Sequence, residues 1–338
     1  MTGGKSKPRI LFVHPRMSPF IQTDLDILRK NFDVRVVDLG RRKNSLGDKL
    51  GAAWEILEGV RRSQACFSWF AEGHSRWMVF FSRLLGRPSL VVVGGYEVAK
   101  LPEIEYGSLL SPKKARIVRY IHEKSTKVLP VDESLKVEAM RNLDITGENI
   151  EPVHTGHDVS KFFPKGAKER VALTVGYVEK GTVRRKGLDV FVKAAAHLPD
   201  VRFVLVGISD NDWTARLKES APANVEFLPS VPHDQLLSYY QKAKVYCQLS
   251  MYEGLPNALC EAMLCECVPV GTKVSGIPTA IGETGFYAPV GDPKGAADAI
   301  RLALSSDKGK AARERIATMF SVEKREKELV RIINGLLA

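Results

Sequence analysis

One pattern constrains this chain more than any other: short apolar runs alternate with helical stretches, and the alternation happens twice. "RILFVHP" (Arg9–Pro15) is an apolar run ending in a turn, which reads as a buried strand. Leu25 and Leu28 then recur at helical spacing, and "DVRVVDLG" (Asp33–Gly40) reads as a second strand. "MVFFSRLLG" is helix-like, "SLVVVGGYE" (Ser89–Glu97) is a strand ending in a Gly-Gly turn, and "STKVLPVDE" is a strand followed by the helix "SLKVEAMRNL". Such alternation implies a parallel sheet with helices on both faces.

The pattern breaks over Asn149–Pro164, whose Pro152, Gly156 and Pro164 suit a linker. It then resumes. "RVALTVGY", "VRFVLVG", "KVYCQLS" and "VPVGT" read as strands, a helix begins near Lys186, and "HDQLLSYYQKA" reads as another. From Lys294 the chain reads as helical to Leu337. The expectation is two doubly wound α/β domains, over 1–155 and 165–318. In such sheets ligands bind beyond the carboxyl ends of the strands, and between two facing domains the natural place is a cleft.

Length and charge narrow the function. The 338 residues carry 50 Lys and Arg against 39 Asp and Glu, a net charge of +11, which favours an anionic partner. The basic residues are dispersed and no nucleic-acid module is recognisable, so nucleic acid is disfavoured. Five cysteines, an odd number in a long chain, argue against a disulfide framework. Cys260, Cys265 and Cys267 lie close together but lack the spacing of a zinc pair, and they sit among Leu259, Met263 and Val268 as core residues would. The apolar run near the start is too short for a secretory signal, and none approaches the ~20 residues of a membrane span, so a cytoplasmic protein is expected.

"SMYEGLPNALCEAM" (Ser250–Met263) holds two acids, Glu253 and Glu261, around a Gly-Leu-Pro-Asn turn that opens a helix. Pro256 suits the first helical turn. The turn's free N–H groups and the helix dipole favour an anion there, most obviously phosphate. Carboxylates only accept hydrogen bonds, so two of them flanking such a site suit polyols on both sides of a phosphate. A nucleotide sugar has that layout. Alternatively, Glu253 caps the helix dipole and Glu261 is a solvated charge. "VGYVEKGTVRRKGLDVF" (Val175–Phe191) adds Arg184, Arg185 and Lys186 in a strand-to-helix loop, where charge and backbone amides can act on one anion. The alternative is an exposed basic loop.

Taken together, "VGY…RKGLDVF", "FVLVG", "SMYEGLPNALCEAM", "PVGT" and "SGIPTAIGETGFYAPVGDP" resemble the nucleotide-binding half of retaining GT-B glycosyltransferases of family 4, over about Arg170–Ala303. "VHTGHDVSKFFP" resembles the family's linker. The resemblance implies two Rossmann-like domains facing a central cleft, with residues 319–338 as a helix crossing back to the N-terminal domain. It implies that Glu261 binds the donor ribose. Glu253 would contact the transferred sugar, helped by the backbone of Gly254, Leu255, Pro256 and Asn257. Lys186 would neutralise the departing diphosphate. Gly176 and Tyr177 would lie beside the donor. The family's arginine after the glycine is Tyr177 here, so its contact passes to Arg184 or Arg185, or is lost. Thr279 stands where the family usually has glutamate. Neither cofactor nor metal is implied, and the donor is expected to be a UDP-sugar or another nucleotide sugar. Two other readings share the fold: a nucleotide-sugar 2-epimerase, and a nucleotide-sugar-binding protein that has lost transfer activity.

The N-terminal half matches more loosely and is expected to bind the acceptor. Gly95, Tyr96 and Glu97 occupy the place of a family histidine near the reacting sugar, where Tyr96 and Glu97 would face the cleft and shape the acceptor site, or merely close a turn; His74 is a further candidate, though a lone histidine is more often structural. "RRKNSLGDKLGAAWEILEGVRR" (Arg41–Arg62) has basic clusters at both ends of a helix, and Trp69, Trp77 and Phe80 lie nearby in sequence. Basic and aromatic residues together suit a membrane surface, hence a lipid-linked or polysaccharide acceptor and a peripheral location on the inner face of a membrane. Alternatively, these aromatics belong to the core.

Overall fold

Ile10, Leu11, Phe12 and Val13 are wholly buried, because the strand they form has a neighbour on each side and helices over both faces. The structure is a computed structural model describing residues 7–40 and 45–338. Its chain divides into two units, residues 1–156 with 322–338, and residues 157–321.

The first unit runs β1 (Arg9–His14), α1 (Pro19–Asn31), β2 (Asp33–Asp38), α2 (Leu46–Arg61), β3 (Ala65–Trp69), α3 (Gly73–Leu84), β4 (Ser89–Val93), α4 (Pro112–Lys124), β5 (Lys127–Pro130) and α5 (Glu133–Leu143). Its sheet has the order β2-β1-β3-β4-β5 and is parallel throughout. Right-handed crossovers place α2, α3 and α4 together on one face, where α3 packs against both of the others. The second unit runs β6 (Glu169–Val175), α6 (Leu188–Ala194), β7 (Arg202–Ile208), α7 (Asp212–Glu219), β8 (Val225–Pro229), α8 (Leu236–Lys242), β9 (Ala243–Gln248), α9 (Asn257–Leu264), β10 (Val268–Thr272), α10 (Ile277–Ile281), β11 (Phe286–Ala288), α11 (Pro293–Leu304) and α12 (Gly309–Met319). Its parallel sheet has the order β11-β10-β9-β6-β7-β8. The chain enters and leaves this unit side by side, His157 pairing with Ser321 in a parallel bridge. The last helix, α13 (Val322–Leu337), belongs to the first unit and packs on α1.

Several expectations need correction. The linker expected over Asn149–Pro164 is partly sheet edge: Val128 N–H donates to Asn149 O at 3.0 Å and Val153 N–H to Pro130 O at 2.9 Å, which satisfies the open side of β5. The helical run expected from Lys294 is three helices, broken after Leu304 and again at Phe320–Ser321. Helix α6 does start near Lys186, at Leu188, with Gly187 capping it at φ 63°. Trp69 is 1% exposed, whereas Trp77 and Phe80 are 39% and 45% exposed. Arg41, Arg42 and Lys43 lie outside the described residues. All five cysteines are buried and unbridged, and burial pushes the Cys66 and Cys265 thiols up to about 11 and about 12.

Helix α13 is held by a buried ion pair. Arg325 and Asp24 are 3% and 0% exposed. The guanidinium meets both Asp24 oxygens, with Nη2 at 2.6 Å from Oδ2. Its Nη1 also donates to Val153 O at 2.8 Å and His154 O at 2.6 Å. Trp69 Nε1 donates to Asp24 at 2.9 Å. Removing one partner strands a buried charge, so Arg325→Leu is expected to destabilise the first unit by about 3–5 kcal/mol. Urea unfolding checks this; Asp24→Leu combined with Arg325→Leu should cost less than the sum of the two single changes.

Candidate active site

The second unit's topology brings two loops together. Its chain builds outward from β6 to β8, then returns across the sheet to β9, so strand order reverses between β6 and β9. Crevices at the carboxyl ends of such a strand pair hold ligands. The loop after β6 carries Gly176, Tyr177, Arg184, Arg185 and Lys186; the loop after β9 carries Glu253, Gly254, Leu255 and Pro256. Met251 N–H donates to Arg185 O at 2.7 Å and joins the two. Gly187 is required at this junction: beside its positive φ, a Cβ there would lie 2.1 Å from Leu249 O. At Gly176 a Cβ would lie 2.9 Å from Lys186 Cδ, so the glycine leaves room for the lysine stem.

The junction assembles the expected acid and two of the expected bases. Glu253 Oε1 lies 3.4 Å from Lys186 Nζ and 3.4 Å from Arg185 Nη1. It accepts hydrogen bonds from Gln248 Nε2 and Ser250 Oγ, both at 3.1 Å. All four contacts fall on Oε1, and Oε2 accepts none among the described residues. Burial pushes this carboxyl up, but Lys186, Arg185 and the Ser250 hydroxyl outweigh it and hold it below the usual carboxylate range. Glu253 therefore stands ionised at neutral pH between two cations. Arg184 lies exposed on the same loop, and Tyr177 is 70% exposed.

Glu261 lies one turn into α9 and is 6% exposed, so it is not a solvated surface charge. His233 Nε2 lies 2.7 Å from its Oε1, and Tyr240 OH donates to its Oε2 at 3.2 Å. Burial and the Glu261 charge push the Tyr240 hydroxyl well above its ordinary value. Phe162 packs edge-on to His233 with ring centroids 5.6 Å apart and also against Tyr240. Pro256 stands one place ahead of the first turn, as the N-cap of α9, and no side chain caps that end. Leu255 is buried beside it, and Asn257 begins the helix. Thr279 O accepts from Arg315 Nη2 at 2.8 Å.

In the first unit, Glu97 follows the turn-closing alternative. Its side chain is 1% exposed and accepts the N–H groups of Gly94, Gly95 and Ala71 at 3.2, 2.9 and 3.3 Å. It fastens the turn after β4 rather than facing a ligand. Burial pushes its carboxyl up. Tyr96 is 37% exposed and lies edge-on to Tyr106. His74 Nε2 donates to Trp69 O at 2.7 Å, and burial pushes its imidazole down to about 4, so it is neutral at pH 7.

His233, Tyr240, Gln248, Ser250 and Phe162 were not singled out from the sequence. His233 and Tyr240 had one legible signal: they lie seven residues apart around a helix start, and so on one face. His14 was also passed over. It ends β1 at the reversal between β1 and β3, 1% exposed, with Nδ1 3.8 Å from Asp38.

Comparison with known proteins bears on the same unit. Residues 159–318 match the family described as Glycosyl transferases group 1. Over 169 residues the chain is 28% identical to D-inositol 3-phosphate glycosyltransferase of Mycobacterium tuberculosis. Over 157 residues it is 29% identical to one component of the phosphatidylinositol N-acetylglucosaminyltransferase of Arabidopsis thaliana. Each match covers 44% of this chain, but only 34% and 35% of those relatives' own length. Among solved structures, Anabaena HepE in complex with UDP aligns with a TM-score of 0.79 at 15% identity, over 97% of this chain and 100% of that one. Sucrose-phosphate synthase from Thermosynechococcus elongatus aligns at 0.76 and 17%, over 98% and 99%. At such identities the likeness shows the fold, which is GT-B.

The charge cluster gives a pH prediction. Because the folded protein holds Glu253 below its ordinary value of 4.5, its stabilising contribution is complete above that value and is lost as pH falls through the depressed one. Glu253→Gln should lower the melting temperature at pH 7, and the gap from wild type should close at acid pH. An unchanged gap on acidification would show that the ion pairs contribute nothing.

Proposed function

We propose, from the match of residues 159–318 to the glycosyl transferases group 1, that the chain transfers a sugar from a nucleotide-sugar donor with retention of configuration. One observation carries the proposal: an ionised carboxylate, Glu253, held with Lys186 and Arg185 at the strand-order reversal of the donor unit. In this reading the donor diphosphate lies over the Gly254–Asn257 turn at the start of α9. Negative charge grows on it as the glycosidic bond breaks, and Lys186 and Arg185 meet that charge with fixed cations. In this reading Lys186 and Arg185 supply the positive charge, and no metal ion is assigned a part.

Glu253 Oε2 is assigned the hydroxyls of the transferred sugar, as the oxygen left available by the surrounding protein. Glu261 is assigned the ribose. Its two oxygens already meet His233 and Tyr240, but an ionised carboxylate has about four acceptor positions, so ribose can share it. His233 and Tyr240 then act as positioning residues. Arg184 extends the positive edge of the loop, and Tyr177 stands where the family's arginine is absent. A UDP-sugar is the favoured donor; HepE, of the same fold, binds UDP. The first unit is assigned the acceptor, a lipid-linked or polysaccharide hydroxyl.

A thermal-shift series with UDP, GDP, ADP and TDP tests the donor site. UDP is expected to raise the melting temperature by mass action, and Glu261→Ala to abolish the rise. If no nucleotide acts on the wild type, the donor-site assignment fails. With a UDP-sugar as substrate, Lys186→Ala is expected to reduce turnover by about 10²–10³-fold. Turnover equal to wild type would remove Lys186 from the leaving-group site.

A further inference from the structure

Helix α3 is built inside out. Its buried face is Ser75, Met78, Val79 and Ser82, half of it hydroxyl, whereas Trp77, Phe80 and Leu84 recur at helical spacing on the exposed face. Burying an aromatic ring is worth far more than burying a serine, so folding alone would place these residues the other way round. The exposed rings are ordered: Trp77 stacks on Phe81 with centroids 5.8 Å apart, and Arg76 lies over Trp77 at 5.3 Å. Trp77 and Phe80, with Ile117 and Tyr120 of α4, line a groove of about 490 Å³ together with Arg76, Lys113 and Arg116. None of these three cations is ion-paired among the described residues. Helix α2, on the other side of α3, adds exposed Trp54 and Leu50, 63% and 64% accessible.

We propose that this face of the first unit docks on an anionic lipid surface, with Trp77 and Phe80 entering the acyl boundary and Arg76, Lys113 and Arg116 meeting headgroup phosphates. Charge selects the occupant. An isologous contact with a second copy would set the same unpaired cations against each other, whereas an anionic surface complements them. The layout, aromatic rings bordered by cations on a helix with no transmembrane length, is that of a helix lying in the interface plane. No helix among the described residues is long and apolar enough to cross a membrane. The inference concerns the first unit's surface alone and stands whether or not the transfer reaction proposed above holds.

Vesicle co-sedimentation of the full chain tests it. Binding is expected to vesicles of phosphatidylcholine with roughly a third phosphatidylglycerol, and not to phosphatidylcholine alone. Lys113→Glu with Arg116→Glu should weaken the partition coefficient by about tenfold or more. Trp77→Ser with Phe80→Ser should weaken it comparably and leave the residual binding more sensitive to salt. All four positions are exposed or at a groove edge, and a melting temperature within a few degrees of wild type shows that each variant folds. Failure of the wild type to bind anionic vesicles would overturn the proposal, as would undiminished binding by both folded variants. Sedimentation velocity provides the remaining arm: a concentration-dependent dimer lost in the Trp77→Ser, Phe80→Ser variant would give the face to a second copy instead.

Discussion

The pairing of Asp24 with Arg325 organises the first unit. Two fully buried charges meet 301 residues apart in sequence, and each has further partners: Trp69 for the carboxylate, the Val153 and His154 carbonyls for the guanidinium. A buried ion pair rarely adds net stability against an apolar replacement, but an incomplete one is strongly unfavourable. Its effect is selective. Helix α13 has a single register on α1 in which all these bonds close, so residues 322–338 must return to the unit in which the chain began. The entire second unit is thus an excursion between Val153–His154 and Arg325, and the His157–Ser321 bridge closes that excursion at its base.

Within the second unit the site follows from strand order. A sheet built outward from β6 and then resumed at β9 leaves two loops facing each other with no strand between them. Those loops carry opposite charge, and their approach is set by backbone: the Met251–Arg185 hydrogen bond and the Gly187 contact. Glu253 and Lys186 meet because of this stitching, with 66 residues between them in the chain. The same arrangement supports Glu261 from behind, where Phe162, arriving from the entry segment, packs on His233 and Tyr240.

Legibility in the sequence tracked how local each signal was. Strands buried on both faces, such as Ile10–Val13 and Leu90–Val93, declare themselves as apolar runs, and the alternation gave both doubly wound sheets. Strand β3, "ACFSW", did not. Ser68 bonds Ser75 and Trp69 bonds Asp24, so polar atoms satisfied only in three dimensions obscured a fully buried strand. Helix α4 was hidden similarly, its sequence "PKKARIVRYIHEK" having three buried positions, Val118, Ile121 and His122. At the site, Glu253 and Glu261 were legible because one motif of fixed spacing carries them, and Lys186 because a basic cluster marks a strand-to-helix loop. Their partners were not, since Gln248, Ser250, His233 and Tyr240 act through distances the chain does not encode locally. Glu97 stayed open between two readings for the same reason: nothing in "GGYE" tells whether a carboxylate turns outward or folds back onto the N–H groups of its own turn.

The charge balance of the Glu253 cluster links this geometry to chemistry. Two cations held near each other on their own would repel; one carboxylate placed between them removes most of that cost and keeps both side chains ordered. All of these contacts converge on Oε1. In the proposed reading a diphosphate, which carries more than one negative charge, meets both cations. As a leaving group gains charge, the cations are already in place and need not reorganise, which is the condition under which fixed charges favour a transition state over a ground state. Glu253 thus keeps both cations in place, ready for the charge that the proposed reaction would develop.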